Sequence, residues 1–175
     1  GAQQAARKNI AQLLPYVRQG HKILVNNPTC SMMMRKEYPQ LVGGEEAQAL
    51  AEAVRDPNEF LHELRQAGKL NEDFKSTPGH VNYHVPCHLR AQNLGYRSRD
   101  VMRRIGGTEI ELVTECCGHD GTWAMKTEFF DLSLQSGKKA FDGMKAEENG
   151  SCLATDCQLA AIQFEQALGV KPLHP

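Results

Sequence analysis

The strongest constraint in this sequence is a unit that recurs: a short apolar run, a turn, a cysteine, and then a stretch with helical periodicity. Residues 22–25 (KILV) enter the turn cluster Asn26-Asn27-Pro28-Thr29, which delivers Cys30 to the apolar stretch Met32, Met33, Met34. Residues 81–85 (VNYHV) are stopped by Pro86 just before Cys87, with a helix-like span over 88–104 behind it. Residues 110–113 (IELV) lead into Cys116-Cys117-Gly118, and residues 151–155 (SCLAT) lead into Asp156-Cys157 and a helical pattern over 158–168. Strand-like and helix-like segments therefore alternate, which predicts an α/β fold with a parallel sheet. In such sheets ligands bind beyond the carboxyl ends of the strands. Cys30, Cys87, Cys116, Cys117 and Cys157 all fall at such ends, and Cys152 does not.

The repeat extends to the residues around it. Setting Cys157 over Cys30 aligns LVNNPTCSMMM with SCLATDCQLAA and puts Cys152 opposite Val25, inside a strand, as a small core residue. The expected architecture is a set of Rossmann-like layers built from a pseudo-repeated strand–cysteine–helix unit. Before the first unit, Ile10, Leu13, Leu14 and Val17 form the stripe of a helix over 2–19, where Pro15 predicts a kink or an early stop. Two more amphipathic helices are expected over 45–54 and 57–67, the second ending at Gly68. The polar stretch 69–79 marks the best internal boundary. Residues 123–148 have a mostly helical pattern, interrupted at Gly137 and Gly143, and residues 138–148 read as a solvated face.

Composition limits the partners. Twenty Lys plus Arg against 21 Asp plus Glu leave a net charge of −1, so no basic field exists to hold nucleic acid or an anionic membrane surface. No apolar run approaches the roughly 20 residues of a membrane span, and the amino end lacks the apolar core of a signal peptide. The expected setting is cytoplasmic, with partners able to hold the protein at the inner membrane.

Six cysteines in such a chain point to metal or redox chemistry before disulfides. Converging thiolates need a compensating charge, supplied by iron–sulfur or by zinc. Cys87, Cys117 and Cys157 each stand just before a predicted helix, where free N–H groups and a partial positive charge favour thiolate. Adjacent cysteines in extended chain point apart, so Cys116 and Cys117 serve one site only if the backbone turns or the metal unit is larger than one ion. Gly118 and Gly121 supply the turning freedom, and the spacing tilts the choice toward a cluster.

On these residues the chain resembles the cysteine-rich CCG domain of heterodisulfide reductases and their relatives, whose pattern is a cysteine, a spacer, CCG, a second spacer and C-x-x-C. Here 28 residues separate Cys87 from Cys116-Cys117-Gly118, and 39 more separate Cys117 from Cys157. PTCSMMMRKEYP, YHVPCHLRAQNLG, ECCGHDGTWAMK and TDCQLAAIQFE together resemble the carboxyl-terminal half of the CCG-bearing subunit of anaerobic glycerol-3-phosphate dehydrogenases and related Fe–S oxidoreductases. The resemblance implies a [4Fe-4S] cluster on Cys87, Cys116, Cys117 and Cys157. Where the family often closes on C-x-x-C, this chain has Cys157-Gln158-Leu159-Ala160. It also implies that residues 1–75 are the tail of a first CCG repeat with a helical connection, and 76–175 a second, complete repeat. Cys30 then belongs to a first site completed by an Fe–S segment upstream of Gly1, or approaches the second site across the pseudo-symmetry.

The implied function is an electron-transfer component of an oxidoreductase, relaying electrons from a flavin-containing dehydrogenase subunit to a quinone or another carrier. Two rivals remain open: cluster-based reduction of a disulfide substrate, and a structural zinc scaffold. His88 and His119 flank cysteines and are candidate cofactor-binding groups, donating to sulfur or carrying a proton, or else caps of turns. His84, on a strand, reads as structural. Arg90 is expected to balance cluster charge or lie at the surface, Trp123 to begin a helix and shield the site, and the methionine run to fill core.

Overall fold

In the computed structural model, residues 1–145 and 150–175 are described. The chain begins with α1 (Ala2–Arg18), whose Ala6, Ile10 and Leu14 are buried at intervals of one helical turn. They meet Tyr38, Ala47, Leu50 and Val54 in a first core. Pro15 neither breaks α1 into two nor stops it early: the helix runs on to Arg18, although the ring removes the bond that residue 15 would donate to the Ala11 carbonyl.

The short strand β1 (Ile23–Leu24) leads to α2 (Pro28–Met32). The Asn27 side chain caps this helix by accepting from the Thr29 and Cys30 N–H groups, with Pro28 in the first turn. The helix widens into one π turn at Met33–Glu37 and resumes as α3 (Tyr38–Val42). Met33 is exposed and only Met34 packs on the first core, so the methionine run is not uniformly core filler. After α4 (Gly44–Ala53) comes a strand that helical periodicity conceals: β2 (Val54–Arg55) pairs parallel with β1. Asp56 and Glu59 then form a capping box at the start of α5 (Pro57–Gln66).

The second sheet positions the cysteines. Its three parallel strands, β3 (His80–His84), β4 (Glu109–Val113) and β5 (Cys152–Thr155), lie in the order β4-β3-β5. The register sets His84 beside both Val113 and Thr155, so the three carboxyl ends are level. Alternation then divides the side chains between two faces. On one, Val81, Tyr83, Cys152 and Ala154 meet Met102. On the other, Val113 and Leu153 meet α8 (Thr127–Gly143) and α9 (Gln158–Leu168) through Ala140, Phe141, Ala160 and Phe164. The parallel α/β architecture expected from the sequence is present, in two small sheets.

Two helical readings change. The span 88–104 is two short helices, α6 (Cys87–Ala91) and α7 (Arg97–Met102), parted where Asn93 and Gly95 adopt positive φ of 56° and 78°. Trp123 lies in the turns before α8, stacked on Phe129 at 5.5 Å, and does not begin the helix. Gly137 does not interrupt α8, for a reason that belongs to the site. Of the solvated face expected over 138–148, residues 146–148 lie outside the described residues.

Candidate metal centre

Beyond the carboxyl edge of β4-β3-β5, three loops bring Cys87, Cys117 and Cys157 to the wall of one cavity of about 90 Å³. His84, His88, His119, Asp120 and Thr29 complete its polar lining. Cys116 is exposed and does not line the cavity, while Cys117 is buried and does, so the two neighbouring side chains diverge. Among the described residues no group of three or more His, Cys, Asp or Glu side chains is drawn together to hold a metal ion as it stands.

The thiol environment explains what the site needs. Burial pushes the Cys117 thiol up to about 12, opposed by a hydrogen bond from the His119 backbone and reinforced by the charges of Cys116, Cys157 and Cys87. Burial also raises Cys87, with Cys116 and Cys157 adding to the rise. Cys87 and Cys117 therefore sense the charge of the cysteines around them, and left bare these two are held as neutral thiols. Backbone groups nonetheless aim at sulfur: Gly118 N–H donates to Cys116 Sγ at 3.4 Å, and Ala160 N–H donates to Cys157 Sγ at 3.5 Å at the start of α9. N–H groups directed at sulfur, one from a loop and one from a helix first turn, fit thiolates held by a cationic group.

The CCG turn is fixed by close backbone packing. Gly118 has φ of 78°, and a Cβ there would collide with the Ser133 carbonyl oxygen of α8. A Cβ on Gly137 would come within 2.5 Å of the Cys117 carbonyl oxygen and collide with the Phe141 ring. The two glycines let α8 lie directly on the cysteine loop, so Gly137 serves this approach from inside an unbroken helix.

His84 is 2% exposed at the end of β3. Burial lowers its pKa to about 4, leaving the ring neutral near pH 7. Its Nδ1 lies 3.1 Å from Thr155 Oγ1 and its Nε2 3.2 Å from the Glu115 carbonyl oxygen, while Phe164 meets the ring edge-on at 4.9 Å. Sequence reasoning counts His84 with His88 and His119 among the histidines flanking cysteines, but prefers a structural role for it. The available signal is a polar residue in a strand otherwise destined for burial. Another residue that sequence reasoning misses is Asp156, fully buried, which accepts from Tyr83 Oη and Ser98 Oγ at 2.5 Å and from Asn58 Nδ2 at 3.4 Å. It ties the Cys157 loop to β3, α7 and α5.

The remaining candidates occupy distinct places. His88 Nδ1 is 2.7 Å from Thr29 Oγ1, which joins α6 to α2. His119 borders the thiol cavity and also a larger cleft of about 520 Å³ between the CCG loop, α8 and α9, and its Nδ1 is buried without a hydrogen-bond partner. Cys30 is exposed at the start of α2, next to Thr29, and does not line the cavity. Cys152 is half-buried against the second-sheet core. Arg90 is exposed, and its charge reaches Cys87.

The chain is 28% identical to a subunit of the anaerobic glycerol-3-phosphate dehydrogenase of Escherichia coli K12 over 159 residues, which are 90% of this chain and 39% of that protein. It is 26% identical to the lactate utilization protein A of Oceanobacillus iheyensis over 135 residues, 72% of this chain and 54% of that protein. It thus spans well under two thirds of either relative. No solved structure matches it. The cysteine-rich domain family CCG matches residues 81–165, the stretch that runs from β3 into α9 and contains Cys87, Cys116, Cys117 and Cys157. Over those residues the chain is similar to the cysteine-rich domain that defines the CCG family.

Proposed function

We propose that the chain is an iron–sulfur electron-transfer domain of an oxidoreductase, in which Cys87, Cys116, Cys117 and Cys157 hold one [4Fe-4S] cluster. A bound cluster supplies reversible one-electron chemistry. The observation that carries the reading is that Cys87, Cys117 and Cys157 line one cavity beyond three level strand ends, with Cys116 next in the chain to Cys117 and backbone N–H groups directed at sulfur. The chain's own residues bind the cluster, shield it with α8 and α9, and stabilise negative charge on sulfur through Gly118 N–H and Ala160 N–H. The divergence of Cys116 from Cys117 favours a unit of several metal ions over a single zinc.

The partners are a flavin-containing dehydrogenase subunit as electron donor and a quinone or other carrier as acceptor, supported by the similarity to a dehydrogenase component. Residues 1–75 are proposed as the tail of a first CCG repeat and 76–175 as the second, in a longer protein whose other Fe–S segment completes a site around Cys30. The support is that β1 feeds α2, with Cys30 in its first turn, much as β5 feeds α9, with Cys157 at its N-cap. No helix among the described residues is long and apolar enough to cross a membrane, and the proposed setting is cytoplasmic.

Anaerobic purification followed by iron, sulfide and EPR analysis tests this. The expected result is iron and acid-labile sulfide in equal amounts with a cluster signal on reduction. A zinc-filled protein with no reconstitutable cluster contradicts it. One observation favours a second reading, disulfide reduction: the 520 Å³ cleft shares His119 with the thiol cavity and gives a substrate access. Two electrons and two protons would convert one disulfide into two thiols there. Steady-state turnover of a disulfide supports it, and none with any disulfide removes it.

A further inference from the structure

Between the two cysteine loops runs a chain of hydrogen bonds whose direction is fixed by chemistry. The Glu115 carbonyl oxygen can only accept, so His84 Nε2, 3.2 Å away, carries the ring hydrogen. In the neutral ring Nδ1 is then an acceptor, and its partner at 3.1 Å, Thr155 Oγ1, must donate to it. With its hydrogen so placed, the Thr155 oxygen accepts from the Cys157 N–H at 3.4 Å. The sequence of bonds is Cys157 N–H to Thr155 Oγ1, Thr155 O–H to His84 Nδ1, and His84 Nε2–H to the carbonyl just before Cys116.

We propose that His84 is a positioning residue of the metal centre, a neutral bridge in its Nε2–H tautomer that sets the span between the Cys116-Cys117 loop and the Cys157 loop. The inference rests on the iron–sulfur reading for its purpose, while its geometry stands apart from it. His84 sits on the central strand, level with Val113 and Thr155, so one ring reaches the loops that leave both neighbouring strands. Phe164 against its edge and burial to 2% fix the ring plane. A bridge of this kind holds the loops at a set separation before any metal arrives, and it polarises the backbone on either side of the thiols.

The test uses the anaerobically prepared chain and three variants. His84→Phe keeps an aromatic ring against Phe164 and removes both bonds. His84→Gln offers one acceptor and one donor and restores them. Thr155→Val cuts only the Oγ1 link and covers the case in which His84→Phe does not fold. Iron release to a chelator is expected to rise about 10-fold in His84→Phe and Thr155→Val, with altered EPR g-values and midpoint potential, and to return toward wild type in His84→Gln. Unchanged release, spectra and potential in His84→Phe and Thr155→Val overturn the proposal, as does His84→Gln behaving like His84→Phe. Nitrogen-15 NMR of the metal-free chain reads the tautomer independently: an Nε2–H ring supports the bridge and an Nδ1–H ring overturns it. A wild-type chain that takes up no iron and sulfide refutes the cluster instead, and the NMR result still decides the bridge.

Discussion

The molecule contains the same local device twice, with different outcomes. In the amino-terminal region β1 feeds Cys30 into α2, on a sheet of two strands, and the thiol ends exposed outside the thiol cavity. In the carboxyl-terminal region three level strands lead to loops that bring Cys87, Cys117 and Cys157 to one cavity. The difference teaches that a strand–turn–cysteine–helix unit sets where one thiol points, whereas a site needs several such units at one sheet edge. Close packing behind the loops is the second requirement, and only the second region has it, through Gly118 and Gly137 against α8.

The largest expected effect attacks that packing. Gly118→Ala places a side chain at positive φ and against the Ser133 carbonyl, and should cost at least about 4 kcal/mol in urea unfolding. Gly20→Ala in the amino-terminal region also has positive φ but meets nothing within 4 Å, and should cost only about 1 kcal/mol. Equal losses in the two variants would erase the distinction.

Arg35 ties the regions together. It makes bonds of 2.7 and 2.8 Å to Glu59, reaches the Val54 carbonyl, and donates to Gln92 of the segment behind α6. The ion pair is nearly buried, so Arg35→Ala should destabilise by about 2–3 kcal/mol, since Glu59 then keeps only the longer 4.0 Å contact with Arg55 and the Asp56 N–H. If it does, calorimetry should also show the two regions melting separately.

Asp56 comes next. Burial, and then the neighbouring Asp156 charge, raise its pKa from 3.8 to about 6. Because the folded state holds the proton more tightly, the stability this group contributes is fully present below pH 3.8 and is lost as pH rises through about 6. Asp56→Asn preserves an N-cap and removes the charge, so it should stabilise by up to about 2 kcal/mol at pH 7 and change little at pH 3.5. Unfolding curves at the two pH values check this, and a variant less stable at pH 7 would refute it. The smallest effect is expected at the exposed Arg18–Glu46 pair, where Arg18→Ala should cost no more than about 0.5 kcal/mol.

The parts of this arrangement that sequence makes legible are those governed by local rules. Period-two and apolar runs locate four strands, turn residues locate the cysteines at their ends, and Cys152 is placed inside a strand. What escapes depends on distant partners. Val54 reads as the end of a helix and Arg55 as a link because their pairing with β1 is set by tertiary packing over some thirty residues of chain. Asn93 takes a left-handed conformation without a glycine at that position, and so splits a helix pattern. Gly137 looks like an interruption because its reason, the Cys117 carbonyl, lies twenty residues away. His84 and Asp156 show polar character in buried strand ends, but only the register of β3 between β4 and β5 shows what each one bridges.

The contrast between the two cysteine-bearing regions is tested most directly by iron and acid-labile sulfide measured on anaerobically purified Cys30→Ser and Cys157→Ser side by side. The account predicts that Cys30→Ser keeps the iron, sulfide and EPR signal of the unaltered chain while Cys157→Ser loses most of each. Equal loss in both variants, or full retention in Cys157→Ser, would contradict it.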